Sequence, residues 1–249
     1  MTFNGSSQYA VSADTTTLGK FTSYTVEAWF NPTSTSCASV LCTIVARDGD
    51  YSLMVNGGTL RWFAYSGSTF SGVKDTGVSP AAGAWQHAAL VRSGASISVY
   101  YNGQLVDTAT IGTSASSYDL PLKVGYIHTN YYFPGQIDQV KLYNAALDAT
   151  AIASDMHTYG MYTDESITSS SHKAFYDFNE GPAGTTGTGT VYNRVSGASS
   201  ATNLHTVNAP AYSDVKQTTS NGNNTVVTFP RSYLTAAGGW RAPDPLECR

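Results

Sequence analysis

The chain predicts an all-β fold: a two-sheet antiparallel sandwich with one short helix and a β-rich C-terminal extension. Three observations carry this. Apolar side chains recur at every second residue in several short segments, which is the period of a strand. Glycine-bearing turn signals separate those segments at hairpin distances. The pace is strand after strand through the first 145 residues, without the helical stretches that βαβ units need.

The elements follow in order. "YTVEAWF" puts Tyr24, Val26, Ala28 and Phe30 on one face and Thr25, Glu27 and Trp29 on the other. "DYSLMVNGGTLRWFAY" reads as a hairpin whose Asn56-Gly57-Gly58 supplies the positive φ of a tight turn. In "HAALVRSGASISVYYNGQLVDTAT", Ile97, Val99 and Tyr101 alternate towards one face, Asn102-Gly103 turns the chain, and Leu105 is expected to resume the pattern. In "FPGQIDQVKLYN" the apolar positions Ile137, Val140 and Leu142 step by three and then by two, which predicts a β-bulge. Gly135 allows the tight backbone just before it.

A helix is expected from about Ala149 to Met156. Asp148 is its N-cap, because a carboxylate there accepts the free N–H groups of the first turn. Leu147 before the cap and Ile152 at the fourth helical position form a hydrophobic staple.

Composition bounds the function. Charged residues make up 12% of the 249, about half the usual share of roughly 25%. The polar surface must then be mostly Ser, Thr, Asn, Gly and Tyr, which suits an extracellular or virion surface. A net charge of −4 supplies no basic field, so nucleic acid is not an expected partner. No apolar run approaches the roughly 18 residues of a membrane span. The opening "MTFNGSSQYAV" has neither a basic n-region nor a long apolar h-region. The expectation is therefore a fragment, or a protein that reaches an outside surface without the usual export route. Cys37 and Cys42 lie close enough to bridge within one loop, or to remain two reduced thiols, and Cys248 is left odd. No cysteine–histidine cluster has zinc spacing.

Several segments, taken in order, resemble the laminin-G-like jelly rolls of the concanavalin-A-like lectin superfamily. They are "FNGSSQYAV", "YTVEAWFNP", "WQHAALVRSGASISVYYNGQLV", "PLKVGYIHTNYYFPGQIDQVKLYNAAL" and the "DATAI" helix start, together covering residues 1–158. The resemblance implies jelly-roll topology, with loops at one edge carrying any ligand or calcium site.

The residues of that edge suggest a chemistry. Tyr126, His128, Tyr131 and Tyr132 present rings with polar edges, which stack on the apolar faces of sugars or pack against a protein. The structural alternative is that some of them pack under the loop. Asp48 and Asp50 in "RDGDY" are hard oxygen donors of the kind calcium takes, although Asp-Gly is also an ordinary turn. In calcium-dependent relatives such as the pentraxins the facing loop adds acidic and amide groups. Here it has Tyr126, Ile127 and His128, half of such a cage. Glu27 and Asp138 are expected to be buried structural carboxylates, tying backbone N–H groups or pairing with Arg47 or Arg92.

Catalysis is not expected. Glycosidases place two carboxylates at a fixed separation, and no acidic run such as ExDxxE occurs. Asp177 and Glu180 in "DFNE" would fall on opposite faces of a strand. His87 and His128 have no GxSxG partner.

Residues 159–173 read as a linker. Residues 174–215, "AFYDFNEG…YNRVSG…", resemble the opening strand and loop of a laminin-G-like repeat, displaced to the C-terminal side of the body. Three placements stay open: completion of the chain's own sandwich, completion of a neighbour's, or the start of a further repeat. In the tail, 216–249, "TVVTF" has a strand signal, and "RSYLTAAGGW" resembles tails of large repetitive phage and bacterial surface proteins. The function expected is a non-enzymatic surface recognition or adhesion module that binds glycan or another surface ligand. The alternative is a virion decoration or fibre subunit that assembles through its C-terminal region.

Overall fold

The computed structural model describes residues 1–33, 37, 41–128, 130–156, 171–181, 184–187, 189–212, 218–220 and 226–228. Its first strands are β1 (Thr2–Asn4), β2 (Tyr9–Ser12), β3 (Ser23–Pro32), β4 (Cys42–Arg47), β5 (Tyr51–Asn56) and β6 (Thr59–Ser66). Next come β7 (Thr69–Phe70), β8 (Lys74–Asp75), β9 (Gln86–Ser93), β10 (Ser96–Tyr101), β11 (Gln104–Thr110), β12 (Leu122–Val124) and β13 (Pro134–Tyr143). The helix α1 (Ala149–Asp155) precedes β14 (His172–Tyr176), β15 (Thr190–Val191) and β16 (Leu204–Val207). A separate hairpin joins β17 (Thr218–Ser220) to β18 (Val226–Thr228), within which lies part of the "TVVTF" signal. The tail motif "RSYLTAAGGW" lies outside the described residues.

Two antiparallel sheets form the sandwich. One runs β1-β13-β3-β9-β10-β11, with β14 also on β13; the other runs β15-β16-β2-β12-β4-β5-β6-β7, with β8 on β6. The expected inward set of β3, Tyr24 to Phe30, is fully buried between them, facing Val45, Leu53 and Trp62 of the second sheet. Both two-residue hairpin turns form with left-handed residues, Gly57 and Gly58 in one and Asn102 and Gly103 in the other. Cys37 and Cys42 are disulfide-bonded.

Leu105 departs from expectation. A register shift opposite Val99 and Tyr100 turns it outward, and Val106 packs on the core in its place. The bulge in β13 forms where the step of three predicts it, between Asp138 and Lys141, with Gln139 in left-handed conformation. Gly135 has φ +150°, and a Cβ there would overlap the Asn31 carbonyl oxygen.

The helix is capped as expected: the Asp148 carboxylate accepts the Ala151 N–H at 2.8 Å. Ile152 and Leu147 pack on Ala89, Val91 and Tyr100, on the outer face of the first sheet. Beneath the helix lies a buried charge cluster. Lys141 Nζ is 2.7 Å from Asp155 Oδ2 and 3.4 Å from Glu27 Oε1, and the Tyr143 hydroxyl donates to Asp155 at 2.7 Å. Glu27 therefore faces Lys141, with His87 at 3.8 Å, rather than Arg47 or Arg92. Two acids share one lysine, and burial decides which ionises. Desolvation holds the Glu27 carboxyl well above the usual carboxylate range. Contacts from Glu27, Lys141 and Tyr143 outweigh burial at Asp155 and depress its pKa. Asp138 is also buried and accepts the Gln139 N–H at the bulge.

The segment after the helix, which the sequence reading treats as displaced, pairs with its own chain. β14 pairs with β13 (Val140 opposite Tyr176), and β16 pairs with β2 (Val207 opposite Tyr9). Tyr176, Phe178, Val191, Leu204 and Tyr212 join the core between the sheets.

Two outcomes follow for stability. Ending the chain at Met156 would uncover that core, so the truncated protein should unfold without cooperativity and bind a hydrophobic dye. A truncated chain that melts at the full-length temperature would contradict this placement. The Glu27 contribution is complete below its unfolded pKa of about 4.3 and is lost as pH rises through its raised folded value. The Asp155 contribution has the opposite sense, present above about 3.9 and lost as pH falls. Glu27→Gln should therefore flatten the decline in urea-unfolding stability as pH rises from about 4.3, the unfolded carboxyl value. Asp155→Asn, which leaves Lys141 without its close partner, should cost about 3 kcal/mol. An unchanged pH slope in Glu27→Gln would mean that Glu27 is ionised in the fold.

Candidate functional site

The loop between β12 and β13 is fixed at both ends and in its middle. Gly125 donates to the Ile44 carbonyl at 2.9 Å, Phe133 N–H donates to Gly125 O at 3.0 Å, and Phe133 is buried in the main core. Between them Ile127 is buried in a second, smaller cluster with Ala46, Met54 and Phe63. These residues alternate with the core positions of β4, β5 and β6, so the cluster sits on the outer face of the second sheet. The loop thus folds over that face. Ile127 is the residue that sequence reasoning missed as an anchor; a lone apolar side chain among tyrosines gives no periodic signal.

The four expected side chains divide into two groups. Tyr126 is the hub of a ring cluster: Tyr132 stacks on it at 4.6 Å between centroids, Tyr9 of β2 lies at 4.6 Å, and Tyr9 and Tyr132 are 6.3 Å apart. The Lys123 ammonium sits over the Tyr126 ring at 5.3 Å. Much of Tyr126 is thus occupied by neighbours, which leaves Tyr9 and Tyr132 as the flanking rings. Burial, and then the Tyr132 and Tyr9 hydroxyls, push the Tyr126 phenol up, so it remains a neutral donor at physiological pH. Tyr9 has no marker in sequence, since strand β2 joins the loop only through sheet pairing. In the second group the Tyr131 ring meets His128 edge-on at 6.2 Å and packs on the Ile127 cluster.

The acidic turn lies beside this loop, as expected. Asp48 Oδ2 is 3.5 Å from His128 Nδ1, on a side chain 54% exposed. Asp50 does not share the site. It is fully buried, 2.9 Å from Arg47 Nη1, and accepts the Lys20 N–H at 2.8 Å. Burial holds its carboxyl above the usual range, partly offset by these contacts. Asp48 and Asp50 therefore point to different surroundings. Among the described residues no group of three or more His, Cys, Asp or Glu is placed to hold a metal ion.

Asp177 and Glu180 also differ from expectation. Phe178 takes left-handed conformation and the segment leaves strand geometry, so both carboxylates converge on Arg194, at 3.1 and 3.4 Å. Burial and the nearby Asp177 raise the Glu180 carboxyl to about 7. Its oxygen Oε1 accepts the Tyr192 N–H, which makes it a local tie of the displaced segment.

A laminin-G-type family model, described as the concanavalin A-like lectin/glucanases superfamily, matches residues 4–153, more than half of the chain. A protein of Bacteroides ovatus assigned as carbohydrate binding is similar in fold, at TM-score 0.58 and 15% identity, over 82% of this chain. The present chain spans 58% of that protein. Domain 4 of AbnA, an extracellular arabinanase of Geobacillus stearothermophilus solved in complex with arabinotriose, is similar at TM-score 0.50 and 21% identity. That match covers 61% of this chain and 74% of the other. No curated protein matches the chain. The two-sheet sandwich, the edge loop on its outer face and the family match together place this chain in the concanavalin A-like lectin/glucanases superfamily.

Proposed function

We propose that the protein is a non-enzymatic recognition module that binds glycan through the outer face of its second sheet, where the β12–β13 loop lies. The observation that carries this is one loop that holds Tyr132 with Tyr9 and Tyr126 in a ring cluster and sets His128 beside both Tyr131 and Asp48. Rings that offer apolar faces stand beside hydroxyls, an imidazole and a carboxylate able to hydrogen-bond sugar hydroxyls. The fold likeness to a Bacteroides protein assigned as carbohydrate binding agrees with the reading. So does the low charge, which leaves contacts that vary little with ionic strength. The reading places the module at an outside surface. A fibre or decoration role loses its main support, since the displaced segment is paired within its own chain.

Tyr131 shares the Ile127 cluster, so its removal would disturb the loop as well as any ligand. Tyr132→Ala combined with His128→Ala separates the two effects. The double variant should lower binding on a glycan array about tenfold or more, with a melting temperature within about 2 °C of the wild type. Unaltered array binding would remove this loop as the site.

A further inference from the structure

A second aromatic group stands on the same outer face, across Asp48 from the loop. Tyr65, at the end of β6, has the Phe70 ring at 5.2 Å and the Tyr118 ring at 5.5 Å. Phe70 is 46% exposed and Tyr118 38%. Tyr65 packs on the same Ile127 cluster as Tyr131, so the two aromatic groups share one apolar base. The Asp48–His128 pair links them: Asp48 is 3.5 Å from His128 of the loop, and the next residue, Gly49, passes beneath the Tyr118 ring.

This second group is built rigidly. The Ser116 hydroxyl donates to the Gly49 carbonyl at 2.7 Å and accepts the Tyr118 N–H at 3.1 Å. Gly49 has φ +71°, and a Cβ on it would lie 2.6 Å from the Tyr118 ring. Only glycine lets the acidic turn pass beneath that ring. Phe70 is held opposite Tyr65 by β7 pairing on β6. Arg92 fixes the base by donating to the carbonyls of Tyr65, Gly112 and Ser114 at 2.7 to 2.9 Å. Ring positions set in advance reduce the ordering cost of binding.

We infer that the two aromatic groups are subsites of one extended site, and that its ligand is a linear, neutral oligosaccharide spanning Tyr132, Asp48 and the Phe70–Tyr118 platform. This rests on the glycan reading above and adds a length and a charge class to it. A sugar chain alternates apolar ring faces with hydroxyls, matching platforms separated by a carboxylate and an imidazole. A carboxylate at the middle of the strip disfavours acidic sugars by like-charge repulsion. A protein partner of ordinary size would need an apolar interface centre, whereas here the centre is Asp48 and His128.

Calorimetry with cello-, xylo- and manno-oligosaccharides of two and six residues tests this, with hexameric oligogalacturonate as the acidic probe. The wild type should bind at least one neutral hexamer about tenfold more tightly than its dimer, and the acidic hexamer more weakly than the neutral ones. Phe70→Ala with Tyr118→Ala should abolish the hexamer advantage, so that hexamer and dimer bind with equal affinity. The length series on the wild type stands even if that variant does not fold. Equal affinity for dimer and hexamer would overturn the second subsite while keeping the glycan reading. Preference for oligogalacturonate would overturn the charge class. No binding by any probe would remove the glycan reading, and the extended site with it.

Discussion

Strand β13 is ten residues long and is hydrogen-bonded to three others, and the body depends on that one strand. One edge lies along β3 from Gly135 to Tyr143, interrupted only at the bulge. The other edge is shared, first by β1 at Pro134–Gln136 and then by β14 at Val140–Tyr143. The bulge falls between these two partners. It inserts residues without losing the inward set, so Ile137, Val140 and Leu142 all reach the core while Lys141 turns to the helix side. An edge left by the short β1 would otherwise expose backbone donors and acceptors. Strand β14, which follows the helix in sequence, closes it.

A chain poor in charge puts several of its charges inside. Arg47 pairs with Asp50 at full burial, Lys141 with Asp155, and Arg92 donates to backbone carbonyls. Such pairs add little net stability over apolar replacements, because desolvation offsets most of the attraction. Their effect here is positional. Arg47 and Asp50 hold the acidic turn against the Lys20 segment, and Arg92 holds the loop that carries Tyr118. The surface is left to hydroxyls and rings, which fixes the character of any contact made there.

The outer face of the second sheet illustrates how the site is made. Strands β4 to β6 supply outward apolar residues, Ala46, Met54 and Phe63, which need a cover. The loop supplies it through Ile127, and in doing so brings its tyrosines beside β2 and the acidic turn. Folding and recognition therefore draw on the same contact: the apolar patch that would otherwise be exposed is what orients the rings.

Local sequence determined a good deal: the strand faces, the glycine turns, the helix cap and staple, and the bulge at Ile137–Val140. Each of these rests on interactions among near neighbours, whose periods of two and 3.6 residues are written in the chain. Position in space decided the rest. Asp50 looks like a ligand beside Asp48, yet it turns inward because Arg47 is buried and needs an anion. Leu105 looks inward until a register shift promotes Val106. Tyr9, Tyr65, Phe70 and Tyr118 come from four separate segments, and only sheet pairing and loop docking carry them to one face. Contacts between residues far apart in the chain leave no periodic trace in the sequence, so the ring strip, unlike the strands beneath it, had to be read from the folded molecule.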